Sequence, residues 1–326
     1  MRDFLDIPLT GGIDAALDAV PKTPGVLQII DPGGGVLLTG MAANMRSWAA
    51  TRLGRGRPTK PGRRPPLDLS EVARALRCRE TSSSFQQRLV FERLMAHVPL
   101  AARKDLKQPA WLHLDPGERF PRLSVRPGTA PLEGLFGPFR DARTAERARE
   151  DVQRLFPIRP CDYVFEPAPD LDLGLRCVFA QVATCAAPCL QRTSEDEYRK
   201  LCRSVLHVLA GDAARPETLG WPEHVGARHG YRAVIAEAGR EGLELYPLVA
   251  GRVLEERACV AQADALDSAL EGLVPSGDPP ASDPADDWPW LLAWLAPARC
   301  KGRLFPVTPD QPLAALAQRI RSALKA

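Results

Sequence analysis

Four cysteines, Cys161, Cys177, Cys185 and Cys189, fall within 29 residues of a 326-residue chain. The stretch around them, 157–192, shows neither a helical period nor the alternation of a strand. A segment with so little core of its own needs a staple, and a bound metal can supply that folding energy. The spacing is Cys-x15-Cys-x7-Cys-x3-Cys. Four thiolates suit either iron–sulfur or tetrahedral zinc, and the paired Cys-x-x-Cys knuckles common at zinc sites are absent. Disulfides would need an oxidising compartment, and the rest of the chain reads as cytoplasmic. No stretch approaches the ~20 apolar residues of a membrane span. Asp3 and Asp6 stand where a signal peptide would be basic and then apolar. The remaining cysteines, Cys78, Cys202, Cys259 and Cys300, are scattered singly and read as small buried hydrophobes.

Charge is unevenly spread. Residues 1–110 hold 17 Lys/Arg against 10 Asp/Glu, although the whole chain is only +3. Between Arg46 and Pro66 stand Arg46, Arg52, Arg55, Arg57, Lys60, Arg63 and Arg64 with no acidic residue. Such a run is a footprint for a polyanion, or simply a solvated Pro-rich loop.

The pattern along the chain predicts an α+β protein with three domains, 1–110, 111–210 and 211–326. A short helix is expected over 11–20. Two β-type runs, Val26–Ile30 and Val36–Leu38, flank Asp31-Pro32-Gly33-Gly34-Gly35 and read as a hairpin. Met41, Met45, Trp48, Ala49 and Leu53 recur at helical spacing, which predicts a helix over 41–53. Residues 69–78 and 85–98 read as further helices, the second stopped by Pro99. Strands follow at 111–114 and 123–125, then helices at 141–155 and 194–209. The last third reads as strands at 231–237, 243–250 and 253–258, helices at 261–273, 288–295 and 312–324, and a short strand at 303–307. Pro275–Asp287 is linker-like in composition.

Several of these segments are similar to one family. Pro24-Gly25-Val26-Leu27, followed by Val36-Leu37-Leu38-Thr39-Gly40-Met41-Ala42-Ala43-Asn44-Met45-Arg46, resembles the opening of a GIY-YIG nuclease domain. The version it resembles is that of UvrC, the incision subunit of bacterial nucleotide excision repair. Phe120-Pro121-Arg122-Leu123, Phe136-Gly137-Pro138-Phe139, Gln153-Arg154-Leu155-Phe156-Pro157-Ile158-Arg159-Pro160-Cys161 and Cys185-Ala186-Ala187-Pro188-Cys189 follow UvrC in order. Ser194-Glu195-Asp196-Glu197-Tyr198 continues it, so the resemblance spans about residues 20–210. It implies a small GIY-YIG-like antiparallel sheet with flanking helices over 1–110. It also implies a loop-rich iron–sulfur module over 111–210, with a [4Fe–4S] cluster on the four cysteines and zinc as the alternative. A small α/β domain of unassigned role is expected over 211–326. Neither the family's charged helical hairpin that contacts its helicase partner nor its RNase-H-like second nuclease is expected here.

The resemblance places the family's catalytic groups on unsuitable residues. The two tyrosine positions fall on Leu27 and Leu38, the lysine position on Met41 and the arginine position on Trp48. The metal-binding glutamate falls on Val90, or on Arg88 if Phe85 sets the alignment, and Glu92 is turned about 200° from Val90 on a helix. Hydrolysis of a phosphodiester needs a base, a cation and a metal-holding carboxylate, and none of the matched positions supplies one. The expectation is a degenerate nuclease fold whose replaced positions fill the old cleft as core, or else form an apolar patch around Trp48 that stacks a base or docks a partner.

Three functions follow as readings. One is a DNA-repair-associated protein that binds DNA phosphates through the 46–64 basic stretch and carries a structural cluster. A second is an active Mg2+-dependent endonuclease with a rebuilt site using Glu92, Arg46, His97 or His113. The third is an iron–sulfur scaffold for a protein partner. A repair-protein partner suits the first reading, and no membrane role suits any of them.

Overall fold

In the computed structural model, residues 3–56, 66–103, 106–115, 117–128, 134–171, 177–210, 225–227, 231–273, 287–295, 302–307 and 311–325 are described. They form two compact units, 1–103 with 237–244, and 104–236 with 245–326. Among the described residues no helix is long and apolar enough to cross a membrane.

The first unit is built on a four-stranded antiparallel sheet. Its strands are β1 (Leu5–Pro8), β2 (Gly25–Ile30), β3 (Val36–Ala42) and β4 (Ala75–Glu80), in the order β1-β4-β2-β3. The expected hairpin is β2–β3. Asp31 closes its turn by accepting the N–H groups of Gly33 and Gly35 through Oδ1, both at 2.8 Å, and Gly34 takes the left-handed φ of 83°. Helices α1 (Ile13–Ala19) and α2 (Met45–Arg52) share one apolar cluster with Leu27, Ile29, Leu76 and Cys78. Helix α3 (Ser84–Leu94) packs on β2 and β3 outside that cluster. Gln87 fastens it by donating to the carbonyls of Gly25 and Ala42 at 2.7 and 2.8 Å. The N-terminal end of α3 is held by Glu237, which accepts from the Phe85 N–H and the Ser84 hydroxyl, both at 2.5 Å.

Three expectations for this unit are corrected. Residues 69–78 are not a helix: turns lead into β4, where Leu76 and Cys78 are buried on either side of exposed Arg77. That period of two is a strand pattern, and Asp6 on β1 pairs with Arg77 at 2.6 Å. Met41 lies in β3, because α2 starts only after Asn44, whose side chain caps it by accepting the Ser47 N–H at 3.0 Å. The helix expected over 85–98 ends at Leu94.

In the second unit β5 (Ala110–Leu114), β6 (Leu123–Pro127), β7 (Leu135–Phe139) and β8 (Gly226–Ala227) form an antiparallel sheet of order β6-β5-β7-β8. Strand β7 is Leu-Phe-Gly-Pro-Phe, and its Gly and Pro hid it from pattern reading. Helix α4 (Ala142–Leu155), the four-residue α5 (Val178–Gln181) and α6 (Glu195–Ala210) follow. Ala145, Ala148 and Val152 of α4 and Tyr198, Cys202, Val205 and Leu209 of α6 enter one core with Leu112, Leu123 and Phe136. Helix α6 begins with a reciprocal capping box: Ser194 Oγ accepts the Glu197 N–H at 3.3 Å, while Glu197 accepts the Ser194 N–H at 3.0 Å.

The C-terminal part carries a second antiparallel sheet, from β9 (Arg232–Ala238), β10 (Leu243–Val249), β11 (Arg252–Val253), β12 (Cys259–Ala261) and β13 (Arg303–Pro306). Its order is β11-β10-β9-β13, with β12 also on β10. The strand expected over 253–258 is instead β11, a single 3-10 turn at Glu255–Arg257 and then β12. Helices α7 (Leu266–Leu273), α8 (Trp288–Trp294) and α9 (Leu313–Lys325) complete it. Helix α7 starts five residues later than expected, and the linker-like 275–286 lies outside the described residues.

Asp141 caps α4 by accepting the Thr144 N–H at 3.0 Å and its hydroxyl at 2.8 Å, and these bonds pull its carboxyl down to about 2. Because the folded value is depressed, the stabilisation is present above the ordinary carboxylate range and lost as pH falls through the folded value. Asp141→Ala is expected to cost about 1 kcal/mol in urea unfolding at neutral pH. The gap should close between about pH 4 and pH 2.

Candidate functional site

The four cysteines lie in one stretch, 161–189, whose described part carries only the four-residue α5 and a 3-10 turn at Pro188–Leu190 but is densely hydrogen-bonded. Arg159 organises its first half. The Arg159 Nε donates to the Phe120 carbonyl at 2.8 Å, and a terminal nitrogen donates to the carbonyls of Cys161 and Tyr163 at 3.2 and 2.9 Å. Its guanidinium also lies 5.3 Å from the Phe165 ring centre and 3.5 Å from the Glu118 carboxylate. The Arg159 backbone N–H donates to the Tyr198 hydroxyl at 2.9 Å, and that hydroxyl donates to the Pro121 carbonyl at 2.8 Å. Tyr198 is wholly buried, which holds its phenol well above the usual range.

The second half is tied from the other side. The Ala186 N–H donates to the Pro157 carbonyl at 2.8 Å, the Ala168 N–H to the Cys189 carbonyl at 3.0 Å, and the Thr193 hydroxyl to the Ala186 carbonyl at 2.6 Å. Ala183, Ala187 and Gln191 take left-handed φ values of 55°, 49° and 54°, uncommon for residues with a side chain. This winding aims the Ala187 N–H at the Cys185 sulfur, 3.3 Å away.

Cys185 and Cys189 are buried and Cys161 and Cys177 half-buried. Burial pushes the Cys185 thiol up to about 11, and the charges of Cys161, Cys189 and Cys177 add to the rise. Cys189 is raised by burial first and then by Cys161 and Cys177. Cys185 thus lies within electrostatic reach of the other three thiols. Among the described residues no group of three His, Cys, Asp or Glu side chains is gathered closely enough to hold a metal ion as it stands. The donor chemistry, four thiols in one loop with a backbone N–H directed at a sulfur, fits a thiolate-bound metal group.

The positions matched to nuclease catalysis lie in the first unit, all without polar chemistry. Leu27 is fully buried, and Leu38 and Trp48 pack against the same cluster. Met41, one residue out of phase with Gly40 and Ala42, belongs to the other face of β3, so the four do not gather as one patch. The Trp48 indole rests on Gly40, where a Cβ would overlap it, and the Arg52 guanidinium covers the ring at 5.4 Å. Val90 is buried. Glu92 is held by two guanidiniums: Arg103 bonds both of its oxygens at 3.0 and 3.1 Å, and Arg88 approaches at 2.6 Å. Its carboxylate is an internal anchor of α3.

Of the seven basic residues proposed to meet DNA, Arg57, Lys60, Arg63 and Arg64 lie outside the described residues. The other three have partners within the chain. Arg46 closes the end of α1, donating to the Val20 carbonyl at 2.9 Å, to the Asp18 carbonyl at 2.5 Å and to the Asp18 carboxylate at 3.3 Å. Arg55 pairs with Asp14 at 3.2 Å, and Arg52 lies on Trp48. Arg159 and Tyr198 are the residues that sequence reasoning missed as parts of a site. Their signal was their place in the matched motifs, beside Cys161 and after the α6 cap.

The cysteine module has a recognised counterpart. Residues 110–208 match the family described as the UvrC/Cho excinuclease, middle domain. The chain is also similar to the UvrABC system protein C of Alkalilimnicola ehrlichii, at 25% identity over 207 residues, 63% of this chain and 33% of that one. The protein of the same name from Rhodospirillum rubrum is 28% identical over 209 residues, 62% of this chain and 31% of its own. That from Bifidobacterium longum reaches 33% over 115 residues, covering 35% and 15%. The chain thus spans about a third or less of the length of these relatives. No solved structure matches.

Tyr198→Phe keeps the ring in place but strips the Pro121 carbonyl and the Arg159 N–H of their partner. A loss of about 2 kcal/mol is expected in chemical denaturation, within the range for stranded buried polar groups.

Proposed function

We propose that this is a UvrC-like protein associated with nucleotide excision repair, which binds DNA and holds a structural [4Fe–4S] cluster through Cys161, Cys177, Cys185 and Cys189. One observation carries the reading: the stretch that matches the excinuclease middle domain, residues 110–208, contains all four cysteines. The cluster supplies folding energy to a segment that has little apolar core. The surrounding residues do the positioning, with Arg159 holding the Cys161 carbonyl and the Ala187 N–H directed at the Cys185 sulfur. Zinc remains the competing occupant.

The first unit serves as a degenerate nuclease fold without catalysis. Leu27, Leu38 and Trp48 fill the place of the polar groups, and Glu92 and Arg46 are both spent on intramolecular contacts. DNA contact is expected through phosphates rather than base edges, as for any basic surface without a reading helix.

Anaerobic purification with iron and sulfide analysis tests the cluster. About four irons per chain, lost in Cys185→Ala, are expected; one zinc, or no metal, overturns the ligand assignment. Magnesium-dependent nicking of duplex DNA should be absent. Nicking that disappears in Glu92→Gln while the fold persists would mean an active, rebuilt site.

A further inference from the structure

Ion pairing along the helices of the second unit leaves a specific set of cations unused. Near α4 the basic side chains mostly have partners: Lys107 and Arg140 with Asp141 at 3.4 and 3.6 Å, Arg149 with Glu146 and Gln153, and Arg154 with Asp151 at 2.8 Å. On α6, Arg199 pairs with Glu195 at 3.2 Å. Arg143 and Arg147 of α4 and Lys200 and Arg203 of α6 are different. All four are exposed, and their side chains make no hydrogen bond or ion pair with any described residue. Glu197 lies near enough to feel the charge of Lys200, but its own carboxylate is bound into the cap at Ser194.

The two helices that carry these residues cover one apolar cluster. Ala145, Ala148 and Val152 of α4 and Tyr198, Cys202, Val205 and Leu209 of α6 enter the same core, with α4 over β5 and β6 and α6 beside β8. Arg143 and Arg147, and Lys200 and Arg203, stand on the opposite stripes of their helices, which face solvent. Arg143 and Arg147 are one turn apart, about 6 Å along the axis. Glu150 is the acidic residue on the α4 stripe between them and Arg154. The outward positions 143, 147, 150 and 154 of α4, and 196, 200, 203, 204 and 207 of α6, are polar, Asp196 among them, and the exposed Leu155 lies at the far end of α4 rather than at the centre of the stripe. A protein interface would want an apolar centre there, whereas unpaired guanidinium forks suit phosphate oxygens.

We propose that this outward face of α4 and α6 is a nucleic-acid backbone surface, with Arg143, Arg147, Lys200 and Arg203 contacting phosphates. The proposal rests on the DNA-binding reading above and moves its contacts from the 46–64 stretch to the cysteine-bearing unit.

The experiment measures binding of the full chain to a labelled duplex by anisotropy across a salt series. Replacing Arg143, Arg147, Lys200 and Arg203 together with Gln should lower the slope of log affinity against log salt by about 3 to 4. Affinity at ~0.1 M salt should fall about a thousandfold. Glu150→Gln should tighten binding severalfold, an effect that damage to the fold would not produce. An unchanged slope and affinity in the fourfold variant overturn this surface and leave the repair reading standing. No duplex binding by the parent chain even at low salt overturns both. Binding of poly-glutamate but not of duplex would mean that the surface receives an acidic protein.

Discussion

Tyr198 is the pivot of the second unit. Its ring lies in the core with the sheet and helices, while its hydroxyl bridges the Arg159 N–H and the Pro121 carbonyl. That bridge fixes the backbone at Arg159, and the Arg159 side chain then gathers the carbonyls of Phe120, Cys161 and Tyr163. The backbone beside Cys161 thus takes its shape from a residue anchored in the α6 core. The Arg159 side chain is only 11% exposed, and its guanidinium is surrounded by carbonyls, a carboxylate and the Phe165 ring, so its charge is compensated on several sides. Phe120 stands against both Phe165 and Tyr198, at 5.4 and 5.8 Å between ring centres.

The first unit follows the opposite logic. At the positions that the resemblance to a nuclease opening would make polar, its side chains are apolar and packed into its core or, like Glu92, held by ion pairs within the unit. Trp48 lies on Gly40 because only glycine leaves room for the indole. Glu92, the carboxylate nearest in sequence to the required position, is neutralised by Arg103 and Arg88. A buried carboxylate held by two guanidiniums would be costly to release for a metal.

Much of the architecture was legible in advance. The β2–β3 hairpin was announced by its Asp-Pro-Gly-Gly-Gly turn, α4 by its Ala/Arg/Glu composition and α6 by the Ser194–Glu197 box. These are local signals, each satisfied by bonds within a few residues. Strand β4 was misread because its alternation is only six residues long and Leu69, Ala73 and Leu76 mimic a helical period. Strand β7 was missed because its stability comes from pairing with β5, far away in the chain.

By itself, the sequence determined the inventory: four clustered thiols, a core-forming pattern of apolar residues, and leucines and a tryptophan at the positions that the resemblance aligns with polar groups. The tertiary structure decided how each charge is used. Arg46 and Arg55 look like free cations in a basic run, yet Asp18, the end of α1 and Asp14 claim them. Arg143 and Arg147 sit among acids in an evenly mixed helix, yet no described residue pairs with them. Composition counts charges, but an ion pair forms only where two side chains meet at about 3 to 4 Å. Which residues meet is fixed by packing between elements distant in sequence, and no local pattern records it.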